Sequence, residues 1–179
     1  MITLVGMPGC GKSTIGKLLA RRLGLAFIDS DHVIEQRLGC SIRSYFEREG
    51  EAAFRDVEEA VLRELLDGKG QGVLATGGGA VLRAANREMM HSRSQVVYLR
   101  ASPEEIFRRV QHDTKRPLLQ VSDPLGRLNE LYAERDPLYR QAAHFVIDSG
   151  RGTTHAVINL LMMQLDQANL AVQPIPSRP

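Results

Sequence analysis

Eight residues near the amino terminus constrain this chain more than any others. Gly6-Met-Pro-Gly-Cys-Gly-Lys-Ser13 sets two glycines five apart and follows them at once with Lys12 and Ser13. The run Ile2–Val5 before it is short, apolar and β-branched. The segment Ser13–Leu23 after it carries Ile15, Leu18, Leu19 and Leu23 on one helical face and closes at Gly24. A strand, a glycine-rich turn and a helix in this order make a cradle for a polyphosphate. Backbone N–H groups turn toward one anion, and the helix N-terminus adds its positive end. Lys12 brings an ammonium to the terminal phosphates, and Ser13 offers a hydroxyl to Mg²⁺. Nucleoside triphosphate binding is therefore expected, with Gly9, Cys10, Gly11, Lys12, Ser13 and Thr14 around the phosphates. Cys10 reads as a small residue at a position where only the backbone matters.

The remainder alternates short apolar runs with helical patterns, which is the pattern of βαβ units and a parallel sheet. Ala26–Ile28, Val73–Ala75, Val96–Leu99 and Phe145–Ile147 join Ile2–Val5 as about five strands. Phe54, Val57, Val61, Leu62, Leu65 and Leu66 form a long apolar stripe ended by Gly68. Ser102-Pro-Glu-Glu105 is a capping box with proline at the first helical position. Asp123-Pro124 opens a further helix, and a last one starts near Thr154. The fold class is α/β: one domain over residues 1–172 with a frayed proline-rich tail at 173–179. Two segments exceed a minimal α/β layer, Asp31–Gly50 and His112–Asp123. Such insertions are where a substrate pocket and a lid would sit.

Composition narrows the partners. With 23 Lys+Arg against 21 Asp+Glu, the formal charge is only +2, too balanced for a surface that coats nucleic acid. No apolar run approaches a membrane span, and Met1–Val5 breaks at Gly6 without the flanks of a secretory signal. Two cysteines, Cys10 and Cys40, frame no disulfide scaffold, and the five histidines show no metal-binding pair at helical spacing. A cytoplasmic, monomeric protein acting on small molecules is expected.

A regulatory GTPase would share the cradle but needs a guanine-reading Asn-Lys-x-Asp segment, which is missing; Asp123-Pro-Leu-Gly126 opens a helix instead of following a strand. A small-molecule kinase needs a second carboxylate near the metal, an acceptor pocket and mobile cations. Phe27-Ile-Asp29-Ser-Asp31 ends the second strand with two carboxylates at the sheet edge where α/β sites form. One can serve the metal's water shell while the other orients a hydroxyl. Asp31 could equally cap a helix over His32–Leu38, and the two roles are compatible. Gly77-Gly-Gly79 follows the third strand and would let a ligand approach the backbone. Arg55 and Arg135 as a pair suit an anionic substrate, because guanidinium grips carboxylate in a fork.

Taken together, Gly6–Thr14, Asp29-x-Asp31, Phe54-Arg55, Gly77–Gly79, Arg116-Pro-Leu-Leu119 and Arg135-Asp-Pro-Leu-Tyr-Arg140 resemble the shikimate kinases, P-loop enzymes of the nucleoside-monophosphate-kinase-like fold. The resemblance spans nearly the whole chain. It implies a three-layer fold with a parallel sheet of order 2-3-1-4-5 and helices on both faces. It also implies a substrate-binding insertion at about 31–63, a lid at about 112–123, and ATP-dependent phosphorylation of the shikimate 3-hydroxyl on the route to chorismate and aromatic amino acids. Carried onto this chain, Ser13 would hold Mg²⁺ with Asp29 in its outer shell. Lys12, Asp31 and Arg116 would be catalytic. Asp31, Arg55, Gly77, Gly78, Gly79 and Arg135 would hold shikimate, and Arg109 and Arg116 would reach ATP. Gly152 stands where the family often has an arginine or glutamine against adenine, so neighbouring Arg151 is the alternative contact. A gluconokinase-like sugar-acid kinase and a non-catalytic nucleotide sensor are the other readings.

Overall fold

The computed structural model describes residues 1–68, 70–111, 121–150 and 152–168. Among them lie five strands and seven helices. The strands are β1 (Ile2–Val5), β2 (Ala26–Asp29), β3 (Gly72–Ala75), β4 (Gln95–Arg100) and β5 (Phe145–Asp148). The helices are α1 (Lys12–Leu23), α2 (Ser30–Leu38), α3 (Ile42–Asp67), α4 (Ala84–Arg93), α5 (Pro103–Val110), α6 (Pro124–Ala142) and α7 (Thr154–Gln167). All pairings are parallel and the order is β2-β3-β1-β4-β5, as expected.

β1 and β3 are buried along their whole length, which explains why they read as largely apolar runs instead of alternating ones; the hydroxyl of Thr3, the polar residue of β1, donates to Ser94 at 2.7 Å. α1 packs on α7, while α3 contacts α4, α4 contacts α6 and α6 contacts α5. The main core is filled by Leu4, Leu19, Leu62, Leu74, Leu99, Ile106 and Leu161. A smaller cluster of Ile34, Phe54 and Val61 welds α2 to α3. That weld gives the segment 31–63 its own rigid floor beside the sheet edge.

The structure revises several local expectations. β2 to β5 each gain flanking residues whose backbone pairs continue the ladder, as where Asp29 pairs Ala75. The segment 31–50 is helical: it holds most of α2 and the first part of α3, which kinks at Gly50 (φ 83°). Asp29, not Asp31, caps α2, accepting the Asp31 N–H at 3.1 Å. α4 had no counterpart in the apolar pattern, because its buried face is only Asn86, Met89 and Met90. The capping box at Ser102 and Glu105 is present. The lid residues 112–120, Arg151 and the tail 173–179 lie outside the described residues.

Register sets up the site. Leu4 pairs Ala75 and Asp29 pairs Ala75 on its other side, so β1, β2 and β3 end level with one another. The loop Gly6–Lys12, the Asp29–Asp31 corner and the turn Gly77–Gly79 therefore leave the sheet at one edge.

Candidate active site

The phosphate loop needs its glycines. Gly9 (φ 85°) and Gly11 (φ 103°) occupy left-handed backbone that side-chain-bearing residues rarely adopt. Gly11 also caps α1 without a side-chain hydrogen bond, which leaves the first N–H groups of α1 for an anion. Lys12 Nζ donates to the carbonyls of Gly6 (2.8 Å) and Met7 (3.0 Å), folded over the loop it serves. Ser13 Oγ donates to Asp29 Oδ2 at 3.0 Å, so the hydroxyl and the carboxylate share one corner. Cys10 is buried, and its carbonyl accepts from Arg109 and Ser149 at 3.1 Å each; the backbone is what this position supplies. A cleft of about 460 Å³ opens here, lined by Pro8, Gly9, Lys12, Ser13, Asp29 and Asp31 among others.

Asp29 and Asp31 diverge, as a strand end permits. Asp29 turns to Ser13 and caps α2, whereas Asp31 faces the Gly77–Gly79 turn. Burial, then the charges of Asp29 and Glu58, push the Asp31 carboxyl from 3.8 up to about 6, with Lys12 opposing. The three glycines are required by crowding, since none of them has positive φ. A Cβ on Gly77 would lie 2.7 Å from Asp31 Oδ1 and 3.1 Å from Glu58 Oε1; on Gly78, 2.7 Å from Pro8 Cδ; and on Gly79 it would strike the Arg55 guanidinium.

Arg55 is only 12% exposed at its side chain and pairs with Glu58 (2.7 Å, side chain 1% exposed) and Glu51 (3.1 Å). Burial raises the Glu58 carboxyl's affinity for its proton, and Arg55 works against that rise. Glu58 is a residue of this site that sequence reasoning missed. Its signal was present: an Arg55-x-x-Glu58 spacing puts both on one helix face, inside an apolar stripe where an unpaired glutamate would be costly. Arg135, on α6, sits close enough to Glu58 to stabilise its charge. Its Nε is buried without a hydrogen-bond partner among the described residues.

A second cleft, of about 650 Å³, runs from Cys10, Thr14 and Leu18 to Ser149, Gly152 and Thr153. Arg109 borders both clefts and reaches the carbonyls of Cys10, Ser149 and Gly150. Gly152 (φ 96°) lines the second cleft with backbone alone. The structure thus brings together the expected residues of the phosphate loop, Asp29, Asp31, Arg55, the glycine turn, Arg109 and Arg135. Arg116 lies outside the described residues.

A phosphate loop, a carboxylate beside it and a pair of arginines behind it define a P-loop kinase of small acids. The comparisons with known proteins narrow that class. The model of the family described as shikimate kinase matches residues 8–166. A shikimate kinase of Paracidovorax citrulli is 61% identical over 94% of this chain and 93% of its own, and one of Ralstonia nicotianae is 49% identical over 99% and 93%. The structure of an Acinetobacter baumannii shikimate kinase in complex with shikimate is 46% identical, with a TM-score of 0.85 over 94% of this chain and 93% of that one. A Sinorhizobium meliloti gluconokinase, 20% identical with a TM-score of 0.63 over 95% of this chain and 92% of that one, shares the fold alone. The chain belongs to the shikimate kinase family.

Proposed function

We infer that this chain transfers the γ-phosphoryl group of ATP to the 3-hydroxyl of shikimate. The observation that carries the reading is the glycine turn, which has Pro8 of the phosphate loop on one side and Asp31, Glu58 and Arg55 on the other. Donor and acceptor sites share this single wall. The transition state of phosphoryl transfer is loose, so positioning and charge neutralisation matter more than deprotonation.

Arg55 and Arg135 take the substrate carboxylate. Glu58 and Glu51 hold the Arg55 fork in advance of binding, which lowers the ordering cost. The same acid site aims the hydroxyl at Asp31. With a carboxyl held near 6, Asp31 is ionised at neutral pH yet basic enough to accept the proton as the P–O bond forms. Lys12 leaves the Gly6 and Met7 carbonyls for the terminal phosphates, and the family resemblance adds Arg116 as a second cation for them. Gly9 to Thr14 hold the phosphates, and the second cleft beside Arg109 takes the adenine end.

Ser13 and Asp29 fit a hydrated Mg²⁺, since a hydroxyl and a carboxylate already share one hydrogen bond at the phosphate edge. When bound, the ion supplies charge neutralisation on the phosphate oxygens. No described helix is long and apolar enough to cross a membrane.

The test is ADP release with Mg²⁺–ATP against shikimate, gluconate and AMP. Shikimate alone should drive turnover. Stimulation by gluconate or AMP without shikimate would overturn the assignment, and nucleotide binding without turnover on any acceptor would leave a sensor.

A further inference from the structure

One buried hydroxyl at this site has no part in the mechanism above. Tyr139 is fully buried in α6, and its OH donates to the Gly78 carbonyl at 2.6 Å. Its ring stacks on Tyr98 with centroids 4.9 Å apart. The Tyr98 hydroxyl donates to Asp136 at 2.8 Å, and Arg140 holds the other oxygen of that carboxylate at 2.8 Å. The ring is therefore clamped from the sheet side and cannot swing away from the glycine turn.

A phenol has one proton, and here Gly78 receives it. The oxygen is left with lone pairs only, so any further polar neighbour must be a donor. Arg135 lies four residues earlier on the same helix face, within the reach of an i,i+4 neighbour, and its charge opposes the rise that burial gives the Tyr139 phenol. The Arg135 Nε is buried and has no hydrogen-bond partner among the described residues. A phenylalanine would fill the same space, so shape alone does not call for the hydroxyl.

We propose that Tyr139 is a positioning residue for the acid end of the substrate, holding Arg135 and the Gly78 peptide face to face. Arg135 and Tyr139 share one face of α6, the Tyr139 hydroxyl donates to the Gly78 carbonyl, and Gly78 lies so close to Pro8 of the phosphate loop that a Cβ there would come within 2.7 Å of its Cδ. It links the group that grips the carboxylate to the loop that grips the nucleotide. The proposal rests on the reading that Arg135 takes the substrate carboxylate.

Steady-state kinetics on the full chain test it, with Tyr139→Phe, Arg135→Ala and the double variant. Tyr139→Phe should raise KM for shikimate about tenfold, equivalent to about 1.4 kcal/mol, with kcat and KM for ATP within twofold. In the Arg135→Ala background the same change should cost less than twofold. A shikimate KM that stays within twofold in Tyr139→Phe overturns the proposal. So does a rise in both KM values with a lower melting temperature, which marks a structural role, or a full tenfold cost on top of Arg135→Ala. If Arg135→Ala itself leaves KM unchanged, the carboxylate reading fails and takes the proposal with it. If only Tyr139→Phe is silent, the reading stands and the proposal alone fails. Should Tyr139→Phe not fold, p-aminophenylalanine at 139 keeps a donor to Gly78 but offers Arg135 a poor acceptor. It should raise KM about fivefold, and an unchanged KM overturns the proposal.

Discussion

Replacing Asp31 by asparagine should make the protein more stable and nearly inactive at once. Burial shields Asp31 from water, Asp29, Glu58 and Glu35 add negative charge beside it, and Lys12 opposes them. Its carboxyl is raised from 3.8 to about 6, so the folded state binds that proton more tightly than the unfolded chain does. The penalty for ionising Asp31 is therefore absent below pH 3.8. It grows as the pH rises toward 6 and is complete above it. At 1.36 kcal/mol per pH unit the full penalty is about 2–3 kcal/mol. Asp31→Asn keeps the shape and removes the charge, so at pH 8 it should gain that amount. For a chain of this size the gain is a rise of about 5–10 °C in melting temperature. Urea unfolding of both proteins, without ligands, at pH 4.5, 6 and 8 measures it. The gain should be small at pH 4.5 and level off above pH 6–7. Activity should fall more than ~10²-fold, the low end for general-base assistance. A variant less stable than the parent at pH 8, or a gain that ignores pH, would refute the reasoning.

Lys12→Ala should depress kcat at least ~100-fold while calorimetric binding of shikimate stays within about threefold, since Lys12 meets developing charge and not the acceptor. Arg55→Ala should raise KM for shikimate about ten- to a hundredfold with a smaller fall in kcat, because a charge-assisted grip remote from the reacting hydroxyl is largely uniform binding. Gly78→Ala places a methyl group 2.7 Å from Pro8 Cδ and should cost activity more than about tenfold, checked by turnover and thermal melting together. His144 stacks on His91 at 4.0 Å and accepts the Val96 N–H at 3.0 Å, and burial and then His91 hold its pKa below 6.5. Its contribution is complete above pH 6.5 and lost as the pH falls further, so His144→Gln should flatten the acid side of the stability profile in urea titrations.

Much of the fold was legible because it rests on one-dimensional patterns. Four-residue strands buried on both faces are mostly apolar, and the loop Gly6–Ser13 has a spacing that few other structures need. The helix stops at Gly24 and the capping box at Ser102 are local chemistry, readable within a handful of residues. α4 was not legible, since a helix that buries Asn86, Met89 and Met90 has no clean apolar stripe. The cap of α2 was misplaced by two residues for a related reason. Asp29 and Asp31 offer the same oxygen atoms, and only the strand's end point decides which one faces the first free N–H groups.

The acid site was legible as a set of residue types but not as a set of pairings. Arg55 and Arg135 read as an equivalent pair, yet they stand in different states. Arg55 is compensated by Glu58 and Glu51, so it is well oriented while much of its charge is already balanced. Arg135 has a buried Nε with no hydrogen-bond partner among the described residues, and the tyrosine four residues on, not Arg135 itself, donates to Gly78. The distinction depends on contacts such as Tyr139 to Gly78, 61 residues apart in sequence, which no periodicity carries. The glycine turn makes the same point. Three glycines in a row suggest conformational freedom, but these are small because Asp31, Pro8 and Arg55 press against them from three different segments of the chain. Their smallness brings Asp31, Arg55 and the phosphate loop against one wall, and on the function proposed above that closeness is what direct phosphoryl transfer requires.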